Sequence, residues 1–391
     1  MSWLHEVSIK DICDLITVKT NIKNASIENY ISTENMLPNF GGVEHAEKLP
    51  SSNTVNTFIP QDVLFSNIRT YFKKVWFSRF NGTASADVLV FRAKDNCDSK
   101  FLYYIMCDPS FIEYTVLTSK GAKMPRGDKD AIFSYTVSLP SIQEQKSIAS
   151  VLSSLDDKID LLHRQNKTLE SMAETLFRQW FIEESQDEWP EVILNQYVEL
   201  NKSSIDKKYD IKEIQYLDTG SLTKGKISEL QKISLSDAPS RAKRLVNNFD
   251  IIISTVRPDQ CHYGICIAPP SNLVVSTGFC VITSKSLSPF FIYYLITSED
   301  MTEYLHSIAE GSTSTYPSLK PEDIGNIPFL YPNEEKLKNF HDLVGSYWNK
   351  IHNNHKKIQT LETLRDTLLP KLLSGEVTVK YAEEEIAAMQ E

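Results

Sequence analysis

The stretch DVLFSNIR at residues 62–69 recurs as DIIISTVR at residues 250–257, an offset of 188. Further matches follow in the same order: FLYYI at 101–105 recurs as FIYYL at 291–295, Gly121 matches Gly311, and Leu-Pro at 139–140 matches Ile-Pro at 327–328. Trp3 and Trp189 stand near the starts of the two copies. A repeat with this order predicts two halves of one design, residues 3–181 and 189–373.

Each half begins with a mixed globular segment and ends in a long helical one. Short β-branched and aromatic runs at 62–68 and 87–91, bounded by polar turns, predict strands. Residues 101–114 and 290–308 carry apolar residues at helical spacing. The predicted fold class is therefore α+β. The predicted segments are two globular domains and two long helices, followed by a tail: 1–140, 141–187, 188–331, 332–376 and 377–391.

Apolar residues at alternating steps of three and four predict a coiled coil in both helical segments. At 1.5 Å per residue, helices of about 40 residues would be about 60 Å long, which exceeds the span of a globule of about 140 residues. Two such helices separated by a globule predict an antiparallel pair; helices that each pack on their own globule are the alternative. Pro370 predicts a kink or a frayed last turn. The predicted seam is Leu155, Ile159, Leu162, Asn166, Leu169, Ile351, Asn354, Ile358, Leu361 and Leu368.

Composition excludes several classes of protein. The 391 residues are 41% hydrophobic, which is typical of a globular protein and excludes a disordered chain. A net charge of −10 argues against a general basic coat protein for nucleic acid, although it leaves room for local basic patches. The sequence has no apolar run long enough to span a bilayer, and MSWLHEVSIK lacks the apolar region of a signal peptide. We therefore expect a cytoplasmic protein.

The sequence contains no recognisable catalytic motif. It lacks the phosphate-binding loop GxxxxGK[ST] and the Asn/Asp-Pro-Pro-aromatic signature of amino-methyltransferases. Cys261 and Cys266 lack two further ligands at zinc spacing, so reduced core thiols are the favoured interpretation of the six cysteines. His352 and His355 share a helix face and are better explained as polar-face residues than as metal ligands. We predict neither a catalytic nor a metal site.

The helical segments carry a family resemblance. LPSIQEQKSIA at 139–149, LDDKI at 155–159 and MAETLFRQWF at 172–181 resemble the central conserved region of type I restriction-modification specificity subunits. TLETLRDTLLPKLLSGE at 360–376 resembles the region that ends those proteins. The resemblance covers essentially the whole chain, strongly in the helices and loosely in the globules. The second copy departs from the pattern, because its Pro-x-x-x-Glu-Gln element reads PNEEK at 332–336.

The resemblance implies that each globule is a target recognition domain for one half of a split DNA target. It implies that the paired helices set the spacing between the half-sites and bind two methyltransferase subunits, with motor-nuclease restriction subunits added for restriction. The chain itself would be non-catalytic, so S-adenosylmethionine, Mg²⁺ and ATP would belong to partner subunits. Two other readings stay open: a coiled-coil scaffold whose globules bind proteins, and, less favoured, a standalone modification enzyme.

Contacts to DNA need cations for phosphates and projecting polar side chains for base edges. Arg69 and Arg257 occupy matched positions after the repeated strand and are the first candidates; ion pairs that hold the strand end are the alternative. The loops at 119–127 and 310–316 form a second candidate site, with solvated connectors as the alternative. Lys202, Lys207 and Lys208 are predicted to form a solvated face, with DNA contact as the less favoured alternative. The predicted DNA-binding residues are Arg69, Lys73, Lys74, Arg79, Lys123, Arg126, Arg241, Lys243, Arg244, Arg257, Gln260, Ser312 and Thr313.

Overall fold

The computed structural model describes residues 5–206, 209–312 and 316–388 and divides the chain into two compact units. Unit 1 comprises Met1–Leu161 and Lys357–Glu391, and unit 2 comprises Leu162–Lys356. Each unit thus contains one globule together with a part of each long helix. The five-segment division made from the sequence stays a prediction. The boundary between the two compact units falls within both long helices and not between the helices and the globules.

Among the described residues, the globule of unit 1 contains ten strands and four short α-helices. They are β1 (His5–Ser8), α1 (Ile9–Ile12), β2 (Cys13–Leu15), β3 (Lys19–Asn21), β4 (Tyr30–Ile31), β5 (Thr54–Phe58), β6 (Val63–Ser66), β7 (Val75–Phe77), β8 (Gly82–Ala84), β9 (Val88–Ala93), α2 (Ser99–Cys107), α3 (Pro109–Leu117), α4 (Lys129–Ser134) and β10 (Thr136–Leu139). The long helix α5 (Ile142–Phe177) follows, and a π-helical turn at Arg178–Glu183 continues it.

Unit 2 has the same kinds of element in a similar order. Its globule contains β11 (Glu191–Ile193), β12 (Val198–Leu200), β13 (Glu213–Leu217), β14 (Leu222–Thr223), β15 (Lys226–Ile227), β16 (Gln231–Ser234), β17 (Ala242–Leu245), β18 (Ile251–Ser254), β19 (Tyr263–Ile265), β20 (Leu273–Ser276), β21 (Phe279–Ser284), α6 (Pro289–Thr297), α7 (Glu299–Glu310), α8 (Pro321–Gly325) and β22 (Pro328–Leu330). The second long helix α9 (Glu334–Ser374) and the short α10 (Val379–Ala388) follow.

The sheets of the two units correspond in most of their strands, apart from β3 beside β5 in unit 1 and β16 beside β13 and the β14-β15 pair in unit 2. One sheet has the order β2-β9-β6-β7 in unit 1 and β12-β21-β18-β19 in unit 2, with every neighbour antiparallel. A second sheet contains β5-β8-β4 in unit 1 and β17-β20-β13 in unit 2, and in both the last pair is parallel. A two-stranded pair, β1-β10 or β11-β22, completes the correspondence. The internal repeat read from the sequence is confirmed.

The predicted strands are confirmed as β6 and β9, whose apolar runs are buried on both faces. A continuous helix over 101–114 is wrong. Asp108 ends α2 and also caps α3, because its side chain accepts a hydrogen bond from the Ser110 N–H at 3.2 Å. Ser298 makes the same break between α6 and α7. A side-chain cap followed by a new helix leaves apolar periodicity intact, which is why the pattern concealed both breaks.

The long helices α5 and α9 have 36 and 41 residues and run antiparallel. Within unit 2, Asn166 contacts Asn354 at 2.7 Å, whereas eleven residues later the Phe177 ring lies 6.1 Å from that of Phe340, an earlier residue of α9. The predicted fold class, α+β with an antiparallel helix pair, is confirmed. The helix does not fray at Pro370, because buried Leu369 and Leu372 hold the last turn as far as Ser374.

The ten predicted seam residues are all removed from solvent to some degree. Leu169 and Leu361 are half-buried, and the other eight are buried. At the middle of the seam the Asn354 side-chain amide donates to Asn166 Oδ1 at 2.7 Å and to Gln165 Oε1 at 2.9 Å. The segment predicted as a tail also contributes to packing, since Ala382 of α10 is buried in the core of unit 1.

Candidate nucleic-acid interface

The repeated strand ends in an unusual turn in both units. Turn 1 (Arg69–Lys73) follows β6, and turn 2 (Arg257–Cys261) follows β18; each is one 3-10 turn. All four bounding residues are left-handed, with φ of 51° and 54° in turn 1 and of 49° and 55° in turn 2. For residues other than glycine this conformation costs roughly 1–2 kcal/mol each. Such strain persists where the surrounding structure fixes it, and it concentrates at functional sites.

Each turn is bound to the loop that follows the repeated helices. The Arg69 N–H donates to the carbonyl of Pro125 at 2.8 Å, and the Arg257 N–H donates to that of Pro317 at 3.0 Å. The preceding residue extends the contact in both units, because Ile68 bridges to Arg126 and Val256 bridges to Ser318. The two loops predicted separately from the sequence therefore form one surface in each unit.

A third loop, which the sequence analysis missed, holds the far end of each turn. In unit 1 the N–H groups of Asn39 and Phe40 donate to the carbonyls of Phe72 and Lys73, both at 2.9 Å. In unit 2 the Lys224 N–H donates to the carbonyl of Cys261 at 2.8 Å. Asn39, Phe40 and Lys224 are again left-handed. The turn sequences NFGG at 39–42 and KG at 224–225 were the available signal.

Cations surround turn 1. Arg69 and Lys73 are half-buried, and Lys123 is exposed. The half-buried Lys74 ammonium donates to the carbonyl of Thr33 at 2.7 Å, and burial lowers its pKa. Arg126 is exposed, and its guanidinium lies 3.0 Å from the carboxylate of Asp87. The backbone carbonyl of Asp87 in turn accepts a hydrogen bond from the Asn67 N–H.

Arg79 does not join this group, contrary to the expectation that the four cations after the strand cluster together. In the β6-β7 hairpin Phe65 faces Val75 beside the turn, and Val63 faces Phe77 at the other end. Because Arg79 follows Phe77, β7 carries it away from turn 1. Its guanidinium lies 3.5 Å from the carboxylate of Asp160 on α5, and both side chains are largely exposed.

In unit 2 the Arg257 guanidinium lies over the exposed ring of Tyr316, 4.9 Å from its centroid. Gln260 is exposed, and its Oε1 lies 3.1 Å from His262 Nε2. Ser312 is half-buried and 3.4 Å from the Ser318 hydroxyl, whereas Thr313 lies outside the described residues, as do Lys207 and Lys208.

The remaining predicted cations of unit 2 lie on β17 and just before it. The Arg241 carbonyl accepts the Thr277 N–H at 2.8 Å, and the next residue, Gly278, accepts the Thr255 N–H at 2.9 Å, two residues before turn 2. Arg241 therefore lies at the turn 2 end of its sheet. Lys243 is exposed, and half-buried Arg244 donates to the Ser204 hydroxyl at 3.4 Å.

The alternative role for the matched arginines was an ion pair that holds the strand end. Across the described ranges, neither Arg69 nor Arg257 lies within 4.0 Å of a carboxylate. Backbone hydrogen bonds hold the strand ends instead, so both guanidinium groups keep their charge available for an anion.

Other kinds of site find less support in the part of the chain that the structure describes. There, no three His, Cys, Asp or Glu side chains are grouped so that they could hold a metal ion. Five cysteines are buried, and Cys261 is half-buried. Burial raises the pKa of the Cys266 thiol to about 12. In the same ranges, every helix is too short or too polar to cross a bilayer.

Two copies of one α+β unit, each with a strained turn that begins at an arginine and a share of an antiparallel helix pair, give the protein two equivalent candidate recognition surfaces. The model of the type I restriction modification DNA specificity domain matches residues 2–171. The chain is 31% identical over 317 residues to the type I restriction enzyme MjaIX specificity subunit of Methanocaldococcus jannaschii, covering 73% of this chain and 71% of that protein. It is 27% identical over 170 residues to the HindI specificity subunit of Haemophilus influenzae, covering 42% and 37%.

Among solved structures, the S subunit of a type I restriction-modification system from M. genitalium has the same fold. The TM-score is 0.59 with 18% identity, over 95% of this chain and 96% of that one. The chain belongs to the specificity subunits of type I restriction enzymes, and its role is to supply DNA sequence specificity.

Proposed function

We propose that turn 1 and turn 2, each with its two supporting loops, are the DNA-contacting surfaces of the two units, and that each reads one half of a bipartite target. The observation that carries this proposal is the repeated surface itself: at equivalent positions of both units, an arginine is held in a strained turn with no carboxylate partner among the described residues. A guanidinium of this kind can bind a phosphate or the O6 and N7 atoms of guanine.

In this proposal the chain is non-catalytic and recruits two methyltransferase subunits, with restriction subunits as further partners. S-adenosylmethionine, Mg²⁺ and ATP are then bound by those partners, in the cytoplasm. Support for a docking surface comes from the long helices of unit 2, where Met172, Leu176, Leu343 and Tyr347 line a groove beside Arg164 and Lys167. Met172 is 44% exposed, a large fraction for an apolar side chain on a helix.

In this proposal, the antiparallel helix pair also sets the separation of the half-sites. A rigid connector of fixed length restricts the number of base pairs between them, because the faces of the duplex repeat about every 10 base pairs. A scaffold whose globules bind proteins is the competing function. DNA binding distinguishes these two functions, since only a specificity subunit should have an affinity for DNA that depends on both half-sites.

The test uses the complex of the full chain with its methyltransferase subunits, whose methylated motif defines the target DNA. Arg69→Ala should weaken binding about tenfold through one half-site, and Arg257→Ala should do so through the other, because each removes a charged hydrogen-bond donor. If the contact is to a phosphate, the slope of log affinity against log salt should fall by about one. Fluorescence anisotropy over a salt series, with each half-site scrambled in turn, measures both effects.

Lys94→Ala is the matched control, because Lys94 follows β9 at the end opposite turn 1 and pairs with Asp14. It should leave both half-sites unchanged. Equal affinity of the wild-type complex for scrambled DNA would contradict the proposed function. Unchanged affinity in both arginine variants would show that the contacts lie elsewhere.

A further inference from the structure

The two turns have the same backbone conformation, but the side chains at their tips are aromatic in one and polar in the other. Between the left-handed residues, tip 1 (residues 70–72) carries Tyr71 and Phe72, and tip 2 (residues 258–260) carries Asp259 and Gln260. Tyr71 is 47% exposed and Phe72 is 38% exposed, and their ring centroids lie 4.7 Å apart. An adjoining pair of exposed aromatic rings on a polar surface marks a contact surface.

The backbone hydrogen bonds hold tip 1 rigidly. Inside the turn, the Phe72 N–H donates to the Arg69 carbonyl and the Lys73 N–H donates to the Thr70 carbonyl, both at 2.9 Å. Thr70 is buried beneath the tip, and the loop at residues 39–40 fixes the far end. Tip 2 repeats these bonds at 3.0 Å from Gln260 and Cys261. The backbone of both tips is therefore held in place, so binding costs little further backbone entropy there.

The charges around tip 1 indicate what the aromatic pair contacts. Arg69, Lys73 and Lys74 stand beside it, and the Lys74 ammonium lies 5.8 Å from the centroid of the Phe72 ring. A partner that fits this surface has an apolar group flanked by anions. In the major groove the thymine 5-methyl is the apolar group on a base edge, and phosphates lie on both sides of it.

We propose that the tips are the base-reading elements of the two units, with Tyr71 and Phe72 packing on thymine methyl groups in the major groove and Gln260 hydrogen-bonding a base edge. This proposal rests on the proposed function and assigns the chemistry by which the two half-sites differ. Asp259 is not assigned a base contact, since its carboxylate lies 3.4 Å from His306 Nδ1 and is directed to that side chain.

The test removes methyl groups and nothing else. Deoxyuridine replaces the thymines of one half-site at a time, and the affinity of the full chain in complex with its methyltransferase subunits is measured. In one half-site the wild-type complex should lose about fourfold in affinity for each buried methyl. In the other half-site, where tip 2 reads by hydrogen bonds, the change should be under twofold, on the order of a surface effect.

The variant Tyr71→Ala/Phe72→Ala should bind the target more weakly and be indifferent to deoxyuridine in the sensitive half-site. The matched variant Gln260→Ala should keep full deoxyuridine sensitivity while it relaxes base preference in the other half-site. Because Tyr71 and Phe72 are exposed, both variants should unfold at the wild-type temperature. Exchange of tip 1 for Pro-Asp-Gln should also abolish the deoxyuridine effect.

Several results would overturn the inference. The first is a wild-type complex that responds to deoxyuridine in neither half-site, or whose target offers no thymine there; this result needs no variant. The second is a Tyr71→Ala/Phe72→Ala complex that keeps the deoxyuridine effect. The third is a variant that loses methyltransferase subunits in mass photometry, which would make the pair a protein contact. A wild-type complex without any sequence preference would instead contradict the proposed function itself.

Discussion

Asp62 in unit 1 and Asp250 in unit 2 stand directly before the repeated strand, and their side chains have different partners in the two units. Both accept the backbone N–H three residues earlier, from Ile59 at 2.8 Å and from Asn247 at 2.7 Å. Asp62 also receives two hydrogen bonds from Arg92, each 2.7 Å long. Asp250 has no such arginine, because Thr283 occupies that position of the strand. The repeat thus keeps the bond that shapes the turn, and the ion pair is an addition in one copy.

The junction between globule and long helices shows the same contrast. In unit 1, Asp156 accepts hydrogen bonds from Arg365 at 3.0 Å and from the Tyr104 hydroxyl at 2.7 Å. The residues at the equivalent positions of unit 2 are Val344 and Phe177, and Phe177 packs against several aromatic rings. One architecture is therefore stabilised by a partly buried ionic network in one copy and by an aromatic cluster in the other.

Breaking the ionic junction should have the largest effect on stability. Arg365→Ala leaves Asp156 partly buried without its cation, and we expect a loss of about 3–5 kcal/mol in the free energy of unfolding of unit 1. The double variant Asp156→Val/Arg365→Phe, which copies unit 2, should recover most or all of this loss. Urea denaturation followed by fluorescence measures both variants. A double variant that is no more stable than Arg365→Ala would show that the aromatic solution does not transfer.

Asp62 and Asp250 occupy equivalent positions, and replacing each by asparagine should change stability differently. Asp62→Asn should cost about 1–2 kcal/mol at pH 7, less than the loss of a fully buried pair because the Arg92 side chain is 40% exposed. Asp250→Asn should be neutral or stabilising, because its amide can still accept the Asn247 N–H and carries no charge into the core. Thermal unfolding of the two variants side by side gives the comparison, and equal losses would contradict it.

The second variant also predicts a pH dependence. Burial raises the pKa of Asp250 above 3.8, despite the hydrogen bonds from Asn247 that oppose the rise. The folded state then binds the proton more tightly than the unfolded state, so the contribution of Asp250 to stability is greatest below pH 3.8 and is lost as the pH rises through the raised value. The melting temperature of Asp250→Asn relative to wild type should therefore increase between pH 4 and pH 7.

An effect as small as that of Asp62→Asn is expected at the seam, where the Asn354 amide donates a hydrogen bond to Asn166. Asn166→Leu alone should cost about 1–2 kcal/mol, because the buried Asn354 amide loses a partner. Asn166→Leu/Asn354→Leu should be at least as stable as wild type, since paired apolar residues replace paired amides. Denaturation midpoints test this order, and a double variant less stable than the single one would reverse it.

The sequence predicted what depends on side-chain pattern. The repeat, strands β6 and β9, the antiparallel helices and the matched arginines all follow from residue types at fixed spacing. The loops at 39–40 and 224–225 were missed, because their role is to donate backbone N–H groups. The sequences NFGG and KG indicate a turn but not the carbonyls that the turn contacts. Arg79 was misplaced for a related reason: closeness in sequence concealed a strand that leads away from the turn.

The shared helices also determine when each unit can fold during synthesis. Unit 2 is a continuous stretch, Leu162–Lys356, whereas unit 1 needs Leu364, Leu368 and Leu372 to cover Leu152 and Leu155. The ribosome makes those leucines some 200 residues after the globule that they complete. Unit 1 therefore waits, with an apolar helix face uncovered, until unit 2 has been translated.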